Sequence, residues 1–218
     1  MNRLNDKIVS RNQLLRLPQY LNYLIAKEHD GIDSISSTQI SNDLKLSEEK
    51  VRKDIALVSK KSGVPGRGRD IKELIEDIKD CLGYKDVNSA VLVGCGSLGK
   101  ALLGYPGFDY YGLKIIAGFD SDPNLWNKEI GNKKIFSIDK LNNLCQRMNI
   151  HIGIICVPAK YAQKICDTLV SSGVLAIWNF APVHLQVPDG IIVQNENMGA
   201  SLAILSNKLQ KKIKNMEE

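Results

Sequence analysis

The stretch Ala90-Val-Leu-Val-Gly-Cys-Gly-Ser-Leu-Gly99 constrains the fold of this chain more than any other segment. Its apolar residues lead directly into a G-x-G-x-x-G turn, and Lys100-Ala-Leu-Leu103 continues as a helix. In such a pattern Gly94 permits the tight turn, Gly96 lets the backbone approach a pyrophosphate, and Gly99 allows close helix–strand packing. The helix N-terminus adds free N–H groups for the phosphates. The predicted dinucleotide contacts of this turn are Gly94, Gly96, Ser97, Leu98 and Gly99.

A second predicted strand, Leu113–Asp120, follows the turn and ends in an acid. An acid about 20 residues after the glycines binds the ribose 2′-hydroxyl in dinucleotide sites. Asp120 therefore favours NAD+ and NADH, because its charge repels the 2′-phosphate of NADP(H). A glycine turn that binds no ligand is the alternative.

The composition limits the class of protein. The 218 residues allow one large domain or two small ones, and the mixed charge predicts a soluble globular chain. No apolar run reaches the roughly 20 residues of a membrane span, and the first residues lack the apolar core of a signal peptide. The five cysteines contain no C-x-x-C pair and predict reduced thiols in a cytoplasmic protein, with Cys95 either a small packing residue or a redox-sensitive thiol. The three histidines show no ligand spacing, so no metal site is expected.

Two longer helices are predicted in the first third of the chain. Residues 1–12 are polar and are expected to fray, and the first helix is predicted to begin near Pro18, which suits a first turn, and to end at Gly31. Its predicted apolar face is Leu21, Leu24 and Ile25. An amphipathic helix over Ile71–Leu82 is predicted to join the two domains.

Two short helices are predicted between them. Ser36 and Gln39 form a capping-box pattern that opens a helix through Leu44. After a short turn, Ser47 is the predicted N-cap of a helix from Glu48 to about Ser59. Two short helices around a tight turn are typical of a helix-turn-helix.

Basic charge is concentrated in and after the second of these helices. From Lys45 to Arg69 there are eight basic residues against three acids, and Gly63–Arg69 resembles the flexible basic wing of a winged helix. Such a helix enters the major groove N-terminus first, and its cations pair with phosphates. A solvated charged helix face is the alternative. The predicted contacts with double-stranded DNA are Ser47, Lys50, Arg52, Lys53, Lys60, Arg67 and Arg69.

The remainder of the chain alternates apolar strands with helices. Strands at Ile150–Val157, Val174–Trp178 and Ile191–Val193, with a helix over Tyr161–Ser171, predict an α/β fold with a Rossmann doubly wound parallel sheet. Ligands of such sheets bind at the carboxyl ends of the strands, so two strand-end loops are candidates for a nicotinamide pocket. Plain strand-terminating loops are the alternative. The predicted pocket residues are Val157, Pro158, Asn179, Phe180, Ala181 and Pro182.

The expected division is a winged-helix DNA-binding domain at 1–84, a Rossmann NAD(H)-binding domain at 85–198 and a C-terminal helix at 199–218. The apolar stripe of that helix packs either on its own domain or on a partner subunit. No Tyr-x-x-x-Lys or His–Asp pairing accompanies the pocket, so no catalytic residue is predicted and the chain is expected to bind the cofactor without using it.

Motifs spread over almost the whole chain occur together in the order of one family. The matching residues are Arg16-Leu-Pro18 with Tyr20, Val51-Arg-Lys-Asp54, Gly63 with Gly66-x-Gly68, Gly94-x-Gly-x-Leu-Gly99 with Ala101-Leu102, Tyr105, Phe119-Asp120, Val157-Pro-Ala159 and Asn179-Phe-Ala-Pro182. The combination resembles the Rex family of bacterial redox-sensing transcriptional repressors. The resemblance implies a homodimer with exchanged C-terminal helices. It also implies repression of respiratory or fermentative genes from an inverted-repeat operator, relieved when NADH binds.

Three positions depart from the family pattern. Arg69 stands where family members usually have Tyr, and Ser59 stands near a family Gly, before a wing loop that is one residue shorter. Asn197 replaces an Asp that, in the family, meets the residues matching Arg16 and Tyr105. The resemblance thus implies that these three residues couple ligand state to domain orientation, and the missing charge predicts weaker or altered coupling. A DNA-binding dimer with an uncoupled Rossmann domain, or one for another nucleotide such as a CoA, and an NAD-dependent oxidoreductase are the alternatives.

Overall fold

The computed structural model describes residues 9–64, 66–85 and 88–217, and the chain divides into two compact units, Met1–Asp86 and Val87–Glu218. The first unit contains α1 (Arg11–His29), β1 (Ser34–Ile35), α2 (Ser37–Leu44), α3 (Glu48–Val58), β2 (Arg69–Asp70) and α4 (Ile71–Leu82). The second contains β3 (Asn88–Val93), α5 (Ser97–Gly104), β4 (Leu113–Asp120), β5 (Glu129–Ile130), β6 (Lys133–Ser137), α6 (Leu141–Met148), β7 (Ile152–Ile155), α7 (Ala159–Ser171), β8 (Ala176–Asn179), β9 (Ile192–Asn195) and α8 (Met198–Glu217). Short 3₁₀ helices lie at Pro106–Tyr111, Pro123–Leu125 and Ile138–Lys140.

Helix α1 begins earlier than its sequence pattern predicts. It starts at Arg11 because Ser10 and Gln13 form a reciprocal capping box. Pro18 lies inside the helix and not in its first turn, so the predicted start was wrong. The missing N–H of proline is tolerated because one face of the helix is buried in the core, and this packing outweighs the lost hydrogen bond. Residues 1–8 of the segment expected to fray lie outside the described residues, and its last two residues are helical.

Helices α2 and α3 form the predicted helix-turn-helix pair. The side chain of Ser36 accepts a hydrogen bond from the backbone N–H of Gln39 at 3.1 Å, which opens α2. Lys45 then adopts a left-handed conformation with φ of 53° and turns the chain. Ser47 occupies the N-cap of α3 as predicted, but its side chain makes no capping hydrogen bond.

A short wing follows α3 in the sequence. Strands β1 and β2 pair antiparallel, and an isolated bridge joins Val64 to Gly68. Gly68 has φ of 85°, and a Cβ there would overlap the carbonyl oxygen of Ile35, so the close approach requires glycine. The sequence predicted the loop but not its strands, because two-residue strands leave no alternating pattern.

One apolar cluster holds the first unit together. Helix α4 has the predicted bounds and is capped by Asp70, whose side chain accepts from the Glu73 N–H. Its buried face packs with those of α1 and α3. The largest fully buried members of the cluster are Leu17, Tyr20, Leu21, Leu24, Ile40, Ile55, Ile71, Leu74 and Ile78.

The second unit is a seven-stranded sheet in the order β5-β6-β4-β3-β7-β8-β9. All neighbouring pairs are parallel except β5 with β6, so the predicted parallel sheet carries one antiparallel edge strand. Strand β4 has the predicted bounds, whereas β7 is shorter than the apolar run 150–157. The chain order reverses between β3 and β7, which is the crevice where doubly wound sheets bind ligands.

The sheet is covered on both faces, as the predicted fold requires. Side chains of β3 alternate between two clusters: Val91 and Val93 pack with residues of α6 and α7, and Ala90 and Leu92 pack with Leu103 of α5. The two apolar layers fix the carboxyl edge of the sheet, where the candidate site lies.

Helix α8 leaves its apolar stripe exposed. Its large apolar side chains retain between 46% and 77% of their accessible surface. They are Met198, Leu202, Ile204, Leu205, Leu209, Ile213 and Met216. The sequence left two alternatives for this stripe, packing on its own domain or on a partner subunit. Packing on its own domain is not observed.

Candidate functional site

The glycine turn between β3 and α5 has two glycines fixed by packing and one facing open space. A Cβ at Gly94, whose φ is 96°, would lie 2.6 Å from the carbonyl oxygen of Cys156. A Cβ at Gly99 would overlap the carbonyl oxygen of Gly94. At Gly96, by contrast, a Cβ would meet no atom within 4 Å. The space beside Gly96 at the start of α5 is therefore a cradle that a side chain would fill.

Asp120 lies across this turn at the end of β4. Its Oδ2 accepts the backbone N–H of Cys95 at 2.6 Å, and its Oδ1 accepts that of Asp122 at 2.9 Å. The indole N–H of Trp126 donates to the backbone carbonyl of Asp120 at 2.9 Å and so holds the same residue through its main chain. Each carboxylate oxygen accepts one protein hydrogen bond and retains capacity for another. The acid is thus held against the glycine turn with acceptors to spare.

A cleft of about 830 Å³ opens at this edge of the sheet. Of the predicted nucleotide contacts, it brings together Gly94, Gly96, Asp120, Val157 and Pro158. The cleft does not include the predicted contacts Ser97, Leu98 and Gly99, nor those of the loop after β8, Asn179, Phe180, Ala181 and Pro182. Its remaining lining residues are Val93, Ser121, Ile138, Asp139, Asn142, Cys156, Tyr161, Lys164, Ile165 and Thr168. Sequence reasoning missed those on α6 and α7, since only the sheet order brings these helices beside β3.

Two cysteines adjoin this site: Cys156 lines the cleft, and Cys95 of the glycine turn packs in the apolar cluster that contains Leu103. Burial raises the pKa of both Cys95 and Cys156 to about 12. The thiols therefore stay protonated at neutral pH, which makes them poor nucleophiles. This favours the reading of Cys95 as a small packing residue.

The loop after β8 is organised by Asn179, which is fully buried. Its Nδ2 donates to the carbonyl oxygens of Ala181 and Val183 at 3.2 and 2.9 Å, and to Asn195 Oδ1 at 2.8 Å. Its Oδ1 accepts the Ala181 N–H at 3.0 Å. The predicted pocket residue Asn179 thus directs its amide to the protein, while Pro182 stands exposed beside the buried Ala181.

An aromatic series adjoins this loop. Ring centroids are 5.0 Å apart for Tyr105 and Phe108, 5.6 Å for Phe108 and Trp178, and 4.9 Å for Trp178 and Phe180. The Trp178 indole donates to Glu196 at 2.9 Å. Tyr105, a predicted coupling residue, is 48% exposed at the end of the series. The series offers aromatic surface beside the loop.

In the first unit, α3 presents its predicted basic residues outward. Lys50, Arg52 and Lys53 are exposed on the face opposite the buried residues of the helix. Lys53 pairs with Glu49 at 2.7 Å, whereas Lys50 and Arg52 make no ion pair among the described residues. Exposed Ser47 stands at the N-terminus of this face. The arrangement matches a helix that meets phosphates and base edges.

The three predicted DNA-contact cations after α3 differ in their surroundings. Lys60 forms ion pairs with Asp77, at 3.5 Å, and with Asp80 on α4. Arg67 is exposed on the wing. Arg69 lies at the base of the wing, where its Nε is buried without a hydrogen-bond partner. Lys60 and Arg69 are therefore less available to DNA than their position in the sequence indicates.

Each predicted coupling residue has a partner within its own unit, and that of Tyr105 is the ring of Phe108. Arg16 binds Asp54 of its own unit, with Nε to Oδ2 at 2.7 Å and Nη2 to Oδ1 at 3.0 Å. Asn197 accepts the Ala200 N–H at 2.9 Å through its side chain and so caps α8.

A helix-turn-helix with a short wing, joined to a doubly wound sheet whose glycine turn opens on a cleft, defines a winged-helix protein with a Rossmann domain. The family model described as "Putative DNA-binding protein N-terminus" matches residues 8–56, and the model described as "CoA binding domain" matches residues 85–183. None of the described helices is both long and apolar enough to cross a membrane.

Relatives with the same two-part organisation cover nearly the full chain. The redox-sensing transcriptional repressor Rex of Porphyromonas gingivalis is 37% identical over 94% of each chain. That of Bacteroides fragilis is 38% identical over 90% of this chain and 89% of its own. The crystal structure of RSP, a Rex-family repressor, with beta-NAD+ and operator DNA covers 97% of both chains at 30% identity and a TM-score of 0.87. The RSP complex with beta-NADH gives a TM-score of 0.85. The chain belongs to the Rex family of redox-sensing transcriptional repressors.

Proposed function

We propose that this protein is a DNA-binding repressor that senses the NADH/NAD+ ratio and leaves an inverted-repeat operator when NADH binds. The observation that carries this proposal is the presence, in one chain, of an exposed basic recognition helix and an open glycine turn. The RSP structures hold NAD+, NADH and operator DNA on the same fold.

The residues of the glycine turn fit the pyrophosphate of a dinucleotide. Gly96 faces open space, and the N-terminus of α5 directs backbone N–H groups toward it. Asp120 retains acceptors for a ribose hydroxyl and would repel a 2′-phosphate, which favours NAD(H) over NADP(H). Val157 and Pro158 line the same cleft. We assign the nicotinamide end to the loop 179–182, with Asn179 positioning the loop from its buried site.

Discrimination between the two redox forms follows from desolvation. Closure of an apolar pocket over the nicotinamide ring penalises the charged pyridinium of NAD+ and not the neutral dihydronicotinamide of NADH. Phe180 and Tyr105 supply aromatic surface of the required kind. A tenfold difference in affinity needs only about 1.4 kcal/mol.

On the DNA side, Lys50, Arg52 and Arg67 are the cations that the proposal assigns to phosphates and base edges. A homodimer would present two recognition helices to half-sites about 34 Å apart, and NADH would stabilise a dimer in which that spacing is lost. The exposed stripe of α8 is the surface assigned to the partner subunit. The domain limits of 1–84, 85–198 and 199–218 belong to the same proposal.

The relatives carry the name of transcriptional repressors, which implies a non-enzymatic role. We extend this to the chain and propose that it acts in the cytoplasm and binds NADH without turning it over. The described residues contain no group of three His, Cys, Asp or Glu side chains that could hold a metal ion.

Fluorescence anisotropy of an inverted-repeat duplex tests the proposal. The protein is first bound to the duplex and then titrated with NADH or NAD+. Release by NADH at concentrations where NAD+ leaves the complex intact is the expected result. An equal shift by both nucleotides at matched occupancy would contradict redox sensing.

A second candidate is a DNA-binding dimer that responds to another adenine nucleotide. The match of residues 85–183 to a CoA-binding family model favours it. A thermal-shift comparison of NADH, NAD+ and coenzyme A separates the two, because a ligand raises the melting temperature only if it binds the folded state. Stabilisation by coenzyme A alone would replace the redox proposal.

A further inference from the structure

Asp54 is the most buried charged residue on α3, and it faces away from the basic surface of the helix. It retains 2% of its side-chain surface, while Lys50 and Arg52 stand exposed on the other side. A carboxylate placed on the core side of an amphipathic helix is costly unless it is paired and hydrogen-bonded. Its partners therefore indicate what the charge does for this helix.

Two side chains of α1 satisfy this carboxylate. Arg16 forms a two-point pair with both oxygens at 2.7 and 3.0 Å, and the Tyr20 hydroxyl donates to Oδ2 at 2.9 Å. Tyr20 is itself fully buried, and the ion pair is largely shielded from water. Two-point Arg–carboxylate pairs are stronger and more directional than single contacts. An apolar contact between α1 and α3 would permit rotation or sliding that this geometry excludes.

We propose that Asp54, Arg16 and Tyr20 form a clamp that fixes the rotation and axial position of α3, so that they act as positioning residues for operator recognition. This inference rests on the proposed DNA-binding function and assigns a role that the basic residues do not perform. Base readout requires side chains within hydrogen-bond distance of base edges, whereas phosphate attraction tolerates small shifts. Loosening the clamp should therefore weaken operator binding more than it weakens binding to unrelated DNA.

The chain contains a matched control for this idea. Tyr23, one turn further along α1, donates to Asp43 of α2 at 2.7 Å, and Lys27 lies 3.7 Å from the same carboxylate. The hydrogen bond and the ion pair of this second Tyr–Asp–cation group join α1 to α2. Tyr20→Phe and Tyr23→Phe each remove one hydroxyl that donates to an aspartate, from a buried pair in the first case and an exposed pair in the second. Only the first substitution loosens the proposed clamp.

The experiment uses the full chain without NADH. A duplex is selected on the wild-type protein from random-sequence DNA, and a shuffled duplex of the same composition is the non-specific probe. We expect Tyr20→Phe to reduce the ratio of the two affinities about tenfold, with affinity for the shuffled duplex changed less than about twofold. Asp54→Asn should have a larger effect in the same direction, and Tyr23→Phe should leave the ratio unchanged.

Loss of both affinities in equal proportion would show a purely structural role and overturn the inference. An unchanged ratio in Tyr20→Phe would also overturn it, whatever the fate of the less conservative Asp54→Asn. If the wild-type chain selects no duplex, the proposed function itself fails and the clamp has no recognition role to perform. In the first two outcomes the wild-type chain still binds its operator, so they contradict only the clamp. The third outcome contradicts the proposed function itself.

Discussion

The two units of this protein hold their functional elements by different means. In the first unit, ionic contacts fix the recognition helix: Asp54 binds Arg16 of α1, and Lys60 after the helix pairs with acids of α4. In the second unit, close steric contacts at Gly94 and Gly99 fix the glycine turn, and Asp120 adds one charged contact to the Cys95 N–H. Charge can be altered by pH or salt, but steric contact cannot. The comparison predicts that solution conditions act mainly on the first unit, whereas added side-chain volume acts mainly on the second.

The largest expected effect comes from adding one methyl group at Gly99. A Cβ there overlaps the Gly94 carbonyl oxygen and lies 3.1 Å from Leu92 Cδ2, so the turn cannot form without displacing α5. Gly99→Ala should lower the free energy of unfolding by about 3 kcal/mol or more, at the upper end of overpacking costs. Urea unfolding followed by tryptophan fluorescence checks this, because both tryptophans, Trp126 and Trp178, lie in the second unit. An unchanged midpoint would show that the turn is not sterically closed.

Gly96→Ala sharpens the same comparison within one turn. Its backbone has an ordinary φ of −67° and a Cβ would meet nothing within 4 Å, so the variant should fold like the wild type. The added methyl fills the proposed pyrophosphate cradle. We expect affinity for NADH to fall about a hundredfold, or about 2.7 kcal/mol, in a calorimetric titration. If the folded variant bound NADH as tightly as the wild type, the nucleotide would not bind at this turn.

Acid should destabilise the first unit before the second. Burial acts to raise the pKa of the Asp54 carboxyl, but hydrogen bonds from Arg16 and Tyr20 outweigh it and hold the pKa below its ordinary value. Hydrogen bonds from Lys60 and Lys85 lower the pKa of Asp80 in the same way. Because the folded pKa is the lower one, this stability is present above the ordinary pKa and is lost as pH falls through the folded value.

The measurement compares two signals during acid titration. Helical circular dichroism reports both units, whereas tryptophan fluorescence reports only the second. We expect the dichroism to fall at a higher pH than the fluorescence changes. Coincident transitions would mean that the ionic contacts do not distinguish the units.

How much the sequence predicts differs between these contacts. The glycine spacing and the acid at Asp120 follow from a local strand–turn–helix pattern, and the structure has them at one edge of the sheet. Asn142 of α6 reaches the cleft only because of the strand order, which no local pattern encodes. The Arg16–Asp54 pair joins residues 38 positions apart, so the sequence shows two charges and not their contact. Asn179 was predicted to contact ligand because it lies at a strand end, but burial turned its amide toward the loop.

A smaller effect is expected in the salt dependence of DNA binding, which should distinguish paired from unpaired cations of the first unit. Each phosphate contact contributes about −0.9 to the slope of log affinity against log salt concentration on duplex DNA. Lys50→Ala should reduce that slope by about one contact, because Lys50 makes no ion pair among the described residues. Lys60→Ala should leave it unchanged, since its ammonium is held by Asp77 and Asp80. Equal loss in the two variants would show that DNA draws Lys60 away from α4.

Asn197 gives the smallest and most specific test, because the family resemblance implies a charged Asp at this position of the second unit. Its side chain caps α8 through the Ala200 N–H, and Asp caps a helix about as well as Asn does. Asn197→Asp should therefore leave the melting temperature within experimental error while adding one negative charge. If that charge couples ligand state to DNA binding, NADH should lower the affinity for DNA a few-fold more in this variant than in the wild type. This difference, measured by anisotropy, corresponds to less than about 1.4 kcal/mol. Asn197→Ser, which keeps a capping oxygen without charge, should behave like the wild type. Equal NADH response in wild type and Asn197→Asp would mean that coupling in this chain does not depend on a charge at this position.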